Sequence, residues 1–411
     1  MAITAITQPT LNDPHLVMGK DKIILKLSSD SADIISCIVE VIVLTSSDNE
    51  RVSAFNVQPD IGTTDEFTIV LNDVLMNHLD FGLNSTDLSS VNVDELGAKR
   101  FNVKVYEVTE DPSTKQLTTA YDPDLYPNPS ADYILPQDRV FVNLSIDTLG
   151  KAFFNVDDYK LDGNTKKFLT DTPSAKSIEL GQSEYLGLLY CEATPSLNYK
   201  AEYLTYDASG SLLNTDYLNI TEWDSPFAGY IVNPYLDIPV GTSNLISMGI
   251  SLTNVAYYTV RIVNDNGDVS ELKRFNIVDD TSKDTRIHWQ NKYGKRESYT
   301  FKGNIKEVLK TSKGTFMTPS SLTYSSEERG LNTLQNTLNN EFTAYTRSIG
   351  RETYEWLTSI LFNNRAWVEI NGEYLPIIIE DGRTVKSDEE QNPYQFILSY
   401  KLANPSKGLK A

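Results

Sequence analysis

The chain has 411 residues, 40% of them hydrophobic and 22% charged, with a formal net charge of −20. That length exceeds one ordinary hydrophobic core and predicts two or three domains, each apolar enough to bury a core of its own. Such an acidic balance excludes a general grip on nucleic acid, which needs clustered Lys and Arg.

The charge is unevenly spread. Residues 1–150 hold 9 Lys+Arg against 23 Asp+Glu, residues 151–280 hold 9 against 18, and residues 281–411 hold 18 against 15. The three parts therefore carry −14, −9 and +3. Tyr is abundant at 23, and Thr, Ser and Asn are frequent, which favours strands and turns over helices. The opening MAITAITQPTLNDPHL lacks a basic n-region and an apolar h-region, so no signal peptide is expected. The longest apolar run, at 34–44, is too short for a bilayer and contains Glu40, so no membrane partner is expected.

Residues 1–20, with Pro9 and Pro14, predict an extended N-terminal arm. Residues 21–150 predict a β-sandwich-like domain, with strands at 23–27, 34–44, 67–71, 101–108 and 140–146 and a helical turn at 74–79. Within it, 111–136 carries Pro112, Pro123, Pro127, Pro129 and Pro136, which predicts a long loop or protruding arm. Residues 151–280 predict a second sandwich-like domain, with strands at 185–191, 199–206, 212–220, 245–252, 257–263 and 274–278. Turns are expected at 207–210 and 264–267. Trp223 is expected to be a core or rim anchor.

Residues 281–411 predict an α+β module, a β-meander with one helix. It opens with RIHWQNKYGKRESYTFKG at 286–303. There Ile287 and Trp289, then Tyr299 and Phe301, alternate with polar residues around a turn at 291–294, as in a hairpin with one aromatic face. The Asn and Thr density of 334–347 favours a strand over a helix. Residues 351–362 predict a helix with Trp356, Leu357, Ile360 and Leu361 on one face. Strands follow at 366–370 and 374–380, joined by Asn371 and Gly372, with Pro376 expected at an edge or bulge. A last strand at 394–402 alternates Tyr394, Phe396, Leu398, Tyr400 and Leu402 with mostly polar residues. A loose tail is expected from 404 to 411.

No catalytic, cofactor-binding or metal-ligating residue is assigned, and no cofactor. His15, His78 and His288 show no metal-ligand spacing and read as ordinary surface or hairpin histidines. Cys37 and Cys191 each sit in an apolar run and read as buried thiols of a protein made in a reducing compartment. Asp122, Asp124 and Asp132 lack the glycine and terminal Glu of an EF-hand loop and read as solvated. Gly181–Tyr185 breaks the G-x-S-x-G pattern at its last position. Acidic pairs such as Asp157-Asp158 and Asp279-Asp280 are expected by chance among 56 carboxylates, so the chain reads as no enzyme. The sequons at Asn84, Asn143 and Asn219 carry no meaning without export. Lys292, Lys295, Arg296, Lys302, Lys306, Lys310 and Lys313 form a basic stretch. It reads as a solvated hairpin rim or as a contact for an acidic neighbouring subunit.

The 286–303 hairpin resembles one found in structural proteins of tailed phages infecting Bacteroidetes. The series ETYEWLTSILFNNRAWVEINGEYLPIIIEDG, followed by YQFILSYKLANP, resembles the same module, in which a helix precedes a meander and the chain closes on an alternating strand. In length, domain texture and acidic balance the chain is similar to portal–tail connector ring proteins of crAss-like phages. The resemblance implies a non-enzymatic virion component, made in the host bacterial cytoplasm and assembled as a cyclic homo-oligomer. Its implied partners are the portal and neighbouring ring or tail proteins, with duplex DNA passing through the lumen without specific binding. The N-terminal arm and the 111–136 loop are then expected to order on assembly. A cell-surface or carbohydrate-binding β-sandwich protein is the alternative.

Overall fold

The structure is a computed structural model, and it describes residues 4–7, 16–18, 23–44, 49–79, 87–94, 96–124, 139–142, 158–161, 166–190, 198–220, 235–278, 284–303, 306–317, 331–362, 365–380 and 394–403. His15, the loop beyond Asp124, Asp157, Cys191, Trp223, Asp279, Asp280, the Asn84 and Asn143 sequons, Thr221 of the third sequon, and the tail lie outside the described residues. The protein is mainly β, as its composition and alternation predict. It divides into two compact units. The first comprises 1–170, 174–278 and Lys292–Lys295, and the second Asp171–Pro173, Asp279–Asn291 and Arg296–Ala411.

The first unit opens with β1 (Thr4–Thr7), β2 (Leu16–Met18), β3 (Ile24–Ser28), β4 (Ile34–Leu44), β5 (Asn49–Val57), β6 (Glu66–Val70) and the helical turn α1 (Asn72–Met76). After β7 (Asn92–Val93) come β8 (Ala98–Glu110), β9 (Leu117–Thr119) and β10 (Arg139–Val142). One sheet has the order β1-β3-β6 and the other β2-β10-β8-β4-β5. Leu25, Phe67 and Ile69 of the first share one core with Val39, Val41 and Val103 of the second. The arrangement is a sandwich, and its period-two burial follows from side chains alternating across each strand.

One expectation needs correction here. The N-terminal arm is not free: β1 pairs antiparallel with β3 and β2 runs parallel to β10. An extended segment leaves its N–H and C=O groups bare, and a sheet edge satisfies them within the same chain. The described part of the Pro-rich loop is exposed along 111–120 and carries a turn and a short strand. Asp111 Oδ1 accepts the N–H groups of Ser113 and Thr114, both at 2.8 Å, and the turn returns the chain as β9 against β8. Tyr121 then packs on Tyr106 with ring centroids 5.3 Å apart.

The second sandwich uses β11 (Lys160–Leu161), β12 (Ala175–Glu179), β13 (Tyr185–Tyr190), β14 (Lys200–Tyr206), β15 (Leu212–Asn219), β16 (Tyr235–Pro239), α2 (Thr242–Ser247), β17 (Tyr257–Asn264), β18 (Gly267–Asp268) and β19 (Lys273–Val278). The sheet β11-β13-β16-β7 shares a core with the sheet β12-β19-β17-β14-β15. Buried tyrosines cross this core and keep their hydroxyls bonded: Tyr203 Oη donates to Pro239 O at 2.9 Å and Tyr258 Oη to Val240 O at 2.5 Å. A linear boundary near residue 150 misses β7, which pairs with β16 while its neighbour Val91 is buried in the second core. The chain visits the second sandwich before returning for β8.

No strand forms at 245–252: residues 245–247 are the last turn of α2, and 248–252 are turn and irregular backbone. The apolar run of Leu245, Ile246, Met248 and Ile250 suggests a strand, but Asn244 decides the backbone. Its Oδ1 accepts the N–H groups of Gly241 and Glu184, both at 3.0 Å, and its Nδ2 donates to Leu88 O at 3.1 Å. A side chain satisfying the bare N–H at the helix start favours the turn over the ladder.

The second unit holds β20 (Thr285–Gln290), β21 (Arg296–Phe301), β22 (Lys306–Met317), β23 (Leu331–Tyr345), α3 (Arg351–Thr358, continued as a 3₁₀ turn to Phe362), β24 (Ala366–Ile370), β25 (Glu373–Ile379) and β26 (Ile397–Leu402). All seven strands form one sheet in the order β21-β20-β24-β25-β26-β23-β22. The stripe of α3 packs on it, with Trp356 against Trp289 at 5.3 Å between ring centroids. The β24–β25 turn has Asn371 at φ +53° and Gly372 at φ +81°, as a two-residue hairpin requires. Pro376 lies in a central strand, not at an edge or bulge. Its carbonyl accepts from Ala403 N–H, just past the end of β26, so its missing donor falls where the ladder stops.

β22 pairs with β23 along its whole length, but β26 pairs with β23 only along residues 341–345. Residues 309–317 and 331–340 thus form a two-stranded backbone ribbon with no further strand neighbour among the described residues. At about 3.3 Å per residue its longer strand spans roughly 30 Å.

Candidate assembly surfaces

The basic stretch is the first feature to place. Lys295 is not on a solvated rim: its side chain is 3% exposed, with Nζ 2.9 Å from Asp94 Oδ2 and 3.0 Å from Asp237 Oδ1. The ammonium also lies 4.5 Å from the centroid of the Tyr235 ring. Burial alone would lower the ammonium pKa, but the Asp237 and Asp94 carboxylates outweigh it and hold the group above its ordinary value. The neighbouring Tyr293 is anchored through its carbonyl, which accepts from Tyr235 Oη at 2.9 Å, and through a 2.9 Å contact with Tyr159 Oη. The expected acidic partners exist, but they belong to the same chain. Lys295 is therefore unavailable to a neighbouring subunit. Lys292 and Lys306 are exposed.

His288 is likewise no surface residue. It is 2% exposed, with Nε2 2.8 Å from Glu369 Oε2 and its ring edge-on to Tyr374. Burial pushes the imidazole down to about 4, against the opposing pull of the Glu369 hydrogen bond. The geometry gives a reason: Nδ1 has no hydrogen-bond partner among the described residues, so a second proton would have no acceptor. Buried Glu297 holds the core behind α3, taking Trp356 Nε1–H at 2.6 Å on Oε2 and Asn291 Nδ2 at 2.9 Å on Oε1. A shallow cleft of about 370 Å³ beside it is lined by Asp171, Pro173, Glu352, Glu355, Trp356 and Ser359. Its carboxylates suit a cationic group and supply no nucleophile–base pair.

Cys37 is buried, and that burial pushes its thiol up to about 12, so it is a packing group and not a nucleophile. Among the described residues no three His, Cys, Asp or Glu side chains are placed to hold a metal ion. Nor, among the described residues, is any helix long and apolar enough to cross a membrane.

The strongest surface feature is an open sheet edge. β15 is the last strand of its sheet among the described residues. Ile220 N–H donates to Tyr199 O at 2.9 Å, which sets the phase of the ladder. Leu218, Asp216 and Asn214 turn their backbone groups toward β14, while Thr215, Tyr217 and Asn219 turn theirs outward. Three apolar or aromatic side chains on the strand are half exposed: Leu212 at 54%, Leu213 at 46% and Tyr217 at 56%. The flank is ordered. Tyr217 Oη donates to Glu202 Oε1 at 3.1 Å, and Arg261 Nε to Glu202 Oε2 at 2.5 Å. Tyr206 stacks on Tyr257 at 4.8 Å, and the Arg274 guanidinium covers Tyr257 at 3.7 Å. Alternation predicts this strand, but an edge position is a property of topology that no local pattern carries.

No family model matches the chain, and no curated protein does. Among solved structures a marsupial T cell receptor aligns at 8% identity over 80% of this chain and 93% of that one, with a TM-score of 0.16, which carries no argument.

Proposed function

We propose that this chain is a non-enzymatic virion structural protein of a tailed phage, a ring component of the portal–tail connector or tail barrel. Its working form is a cyclic homo-oligomer around the DNA channel, made in the host cytoplasm and incorporated in the virion. The observation that carries the reading is the second unit. There an aromatic hairpin, a helix and a three-strand meander that ends on the alternating strand β26 follow in the order the phage resemblance implies. The ribbon of 309–317 and 331–340 adds a device suited to reaching a neighbour. The acidic first 280 residues, at −14 and −9, supply carboxylates for a lumen that duplex DNA crosses without sticking.

The test is light scattering and negative-stain imaging of the purified full chain, beside a duplex gel-shift. Closed rings that leave duplex DNA unshifted at moderate salt are the expected result. A monomer at every concentration, or tight duplex binding, refutes the reading. The carbohydrate-binding alternative draws on the Tyr206–Tyr257 stack. Both faces of Tyr257 are covered, one by Tyr206 and one by Arg274, so that ring offers no open face to a sugar.

A further inference from the structure

Among the described residues the edge of β15 lacks the usual guards. Natural edge strands are blunted with Lys, Pro, strong bulges or a covering element, because a bare row of N–H and C=O groups pairs with any extended chain. β15 reads LLNTDYLN, with no Lys, Pro or Gly. Its one charge is Asp216, whose Oδ2 accepts from Asn214 Nδ2 at 2.7 Å. The register shift with β14 falls at the Leu212 end and leaves 214–219 regular. An edge of this kind is built to be covered.

Self-pairing of two such edges is disfavoured. An antiparallel pair centred on 213–219 brings Asp216 close to its own symmetry mate, and like charges facing across strands are destabilising. The chain itself holds a better complement. Along 309–317 and 331–340 the only charged residues are Lys310 and Lys313. The stretch is extended, has no further strand on its outer edge among the described residues and is longer than β15. On the receiving edge itself Asp216 is half-buried, and so is Asp207 at the turn before it, while Glu202 on the flank is held by Arg261.

We propose that β15 of one copy is extended by the β22–β23 ribbon of a second copy, in a head-to-tail contact repeated around the ring. The inference rests on the ring reading above and names its interface. Backbone bonds give the affinity and the lysine–carboxylate attraction gives direction. Because the two surfaces differ, the contact is heterologous, which is the kind that closes into rings.

Thr215→Pro tests it. The Thr215 N–H points outward, so proline removes an edge donor without removing a bond to β14. The second variant replaces 310–339 with Asn-Gly between Leu309 and Asn340, which are already cross-strand partners. Each variant alone should run as a monomer where the wild type forms rings. Mixed together, one with an intact ribbon and the other with an intact edge, they should form pairs of twice the monomer mass and nothing larger. Tyr217→Lys, at an exposed position, should raise the concentration needed for assembly about tenfold even if the proline variant misfolds. In the wild-type ring the amides of Thr215, Tyr217 and Asn219 should exchange at least tenfold more slowly than in the dilute monomer. Rings that form with those amides unprotected, or rings formed by Tyr217→Lys as readily as by the wild type, overturn the interface and leave the ring reading intact. A wild-type chain that stays monomeric overturns both.

Discussion

The buried His288 makes the stability of the second unit depend on pH. An imidazole that ordinarily titrates near 6.5 is pushed down to about 4 by burial, with the Glu369 hydrogen bond opposing. In the unfolded chain it regains its ordinary value. Above pH 6.5 neither state holds the proton, and the folded state has its full stability. As the pH falls from 6.5 to 4 the unfolded chain takes up a proton that the folded chain refuses, so stability is lost. Below about 4 both states are protonated and the loss stops growing. At about 1.4 kcal/mol per pH interval of one, the loss totals roughly 3 kcal/mol. Carboxylates elsewhere titrate in the same range, so the measurement is a difference. His288→Gln removes the titrating group and keeps a donor for Glu369. Urea unfolding followed by tryptophan fluorescence suits the site, since Trp289, Trp356 and Trp367 all lie in the second unit. Between pH 7 and pH 4 the wild type should lose about 3 kcal/mol more than the variant. Parallel curves for the two proteins, or an NMR titration of His288 centred near 6.5, would refute the reasoning.

Four further outcomes are expected. Lys295→Met strands Asp94 and Asp237, 9% and 27% exposed, and should cost about 3 kcal/mol in thermal or urea unfolding. Adding Asp94→Asn and Asp237→Asn should recover much of that loss, and a single mutant within 0.5 kcal/mol of wild type contradicts the pairing of buried Lys295 with the two carboxylates. Trp356→Phe removes the 2.6 Å bond to Glu297 Oε2 and should cost about 1–3 kcal/mol, read by urea unfolding. Gly372→Ala meets no atom within 4 Å of the new Cβ, so only its φ of +81° matters, and calorimetry should show a loss of about 1 kcal/mol. Ring mass measured over a salt series should fall as salt rises, because surface attractions are screened within about 10 Å at 0.1 M.

Much of the strand layout was legible in local pattern. β8, the β20–β21 hairpin and β26 alternate cleanly, and an alternating run has one way to hide its apolar face. The α3 stripe and the Asn371–Gly372 turn are equally local, as is the burial of Cys37 inside an apolar run. What the pattern lacked was pairing. Alternation says that a face is covered, but not by which sheet, because ladder bonds are made by backbone groups that every residue shares. So the placement of β7 in the second sandwich, the central position of Pro376 and the open edge of β15 all waited on topology. Asn244 turned an apolar run into a helix through a bond to Glu184, sixty residues away in sequence. Lys295 looked like one cation in a solvated stretch until folding set it against Asp94, a separation of 201 residues. Composition determined that this protein is acidic and mainly β. Only the tertiary structure decided which charges neutralise each other inside the chain and which strand is left open, since both depend on contacts between residues far apart in sequence.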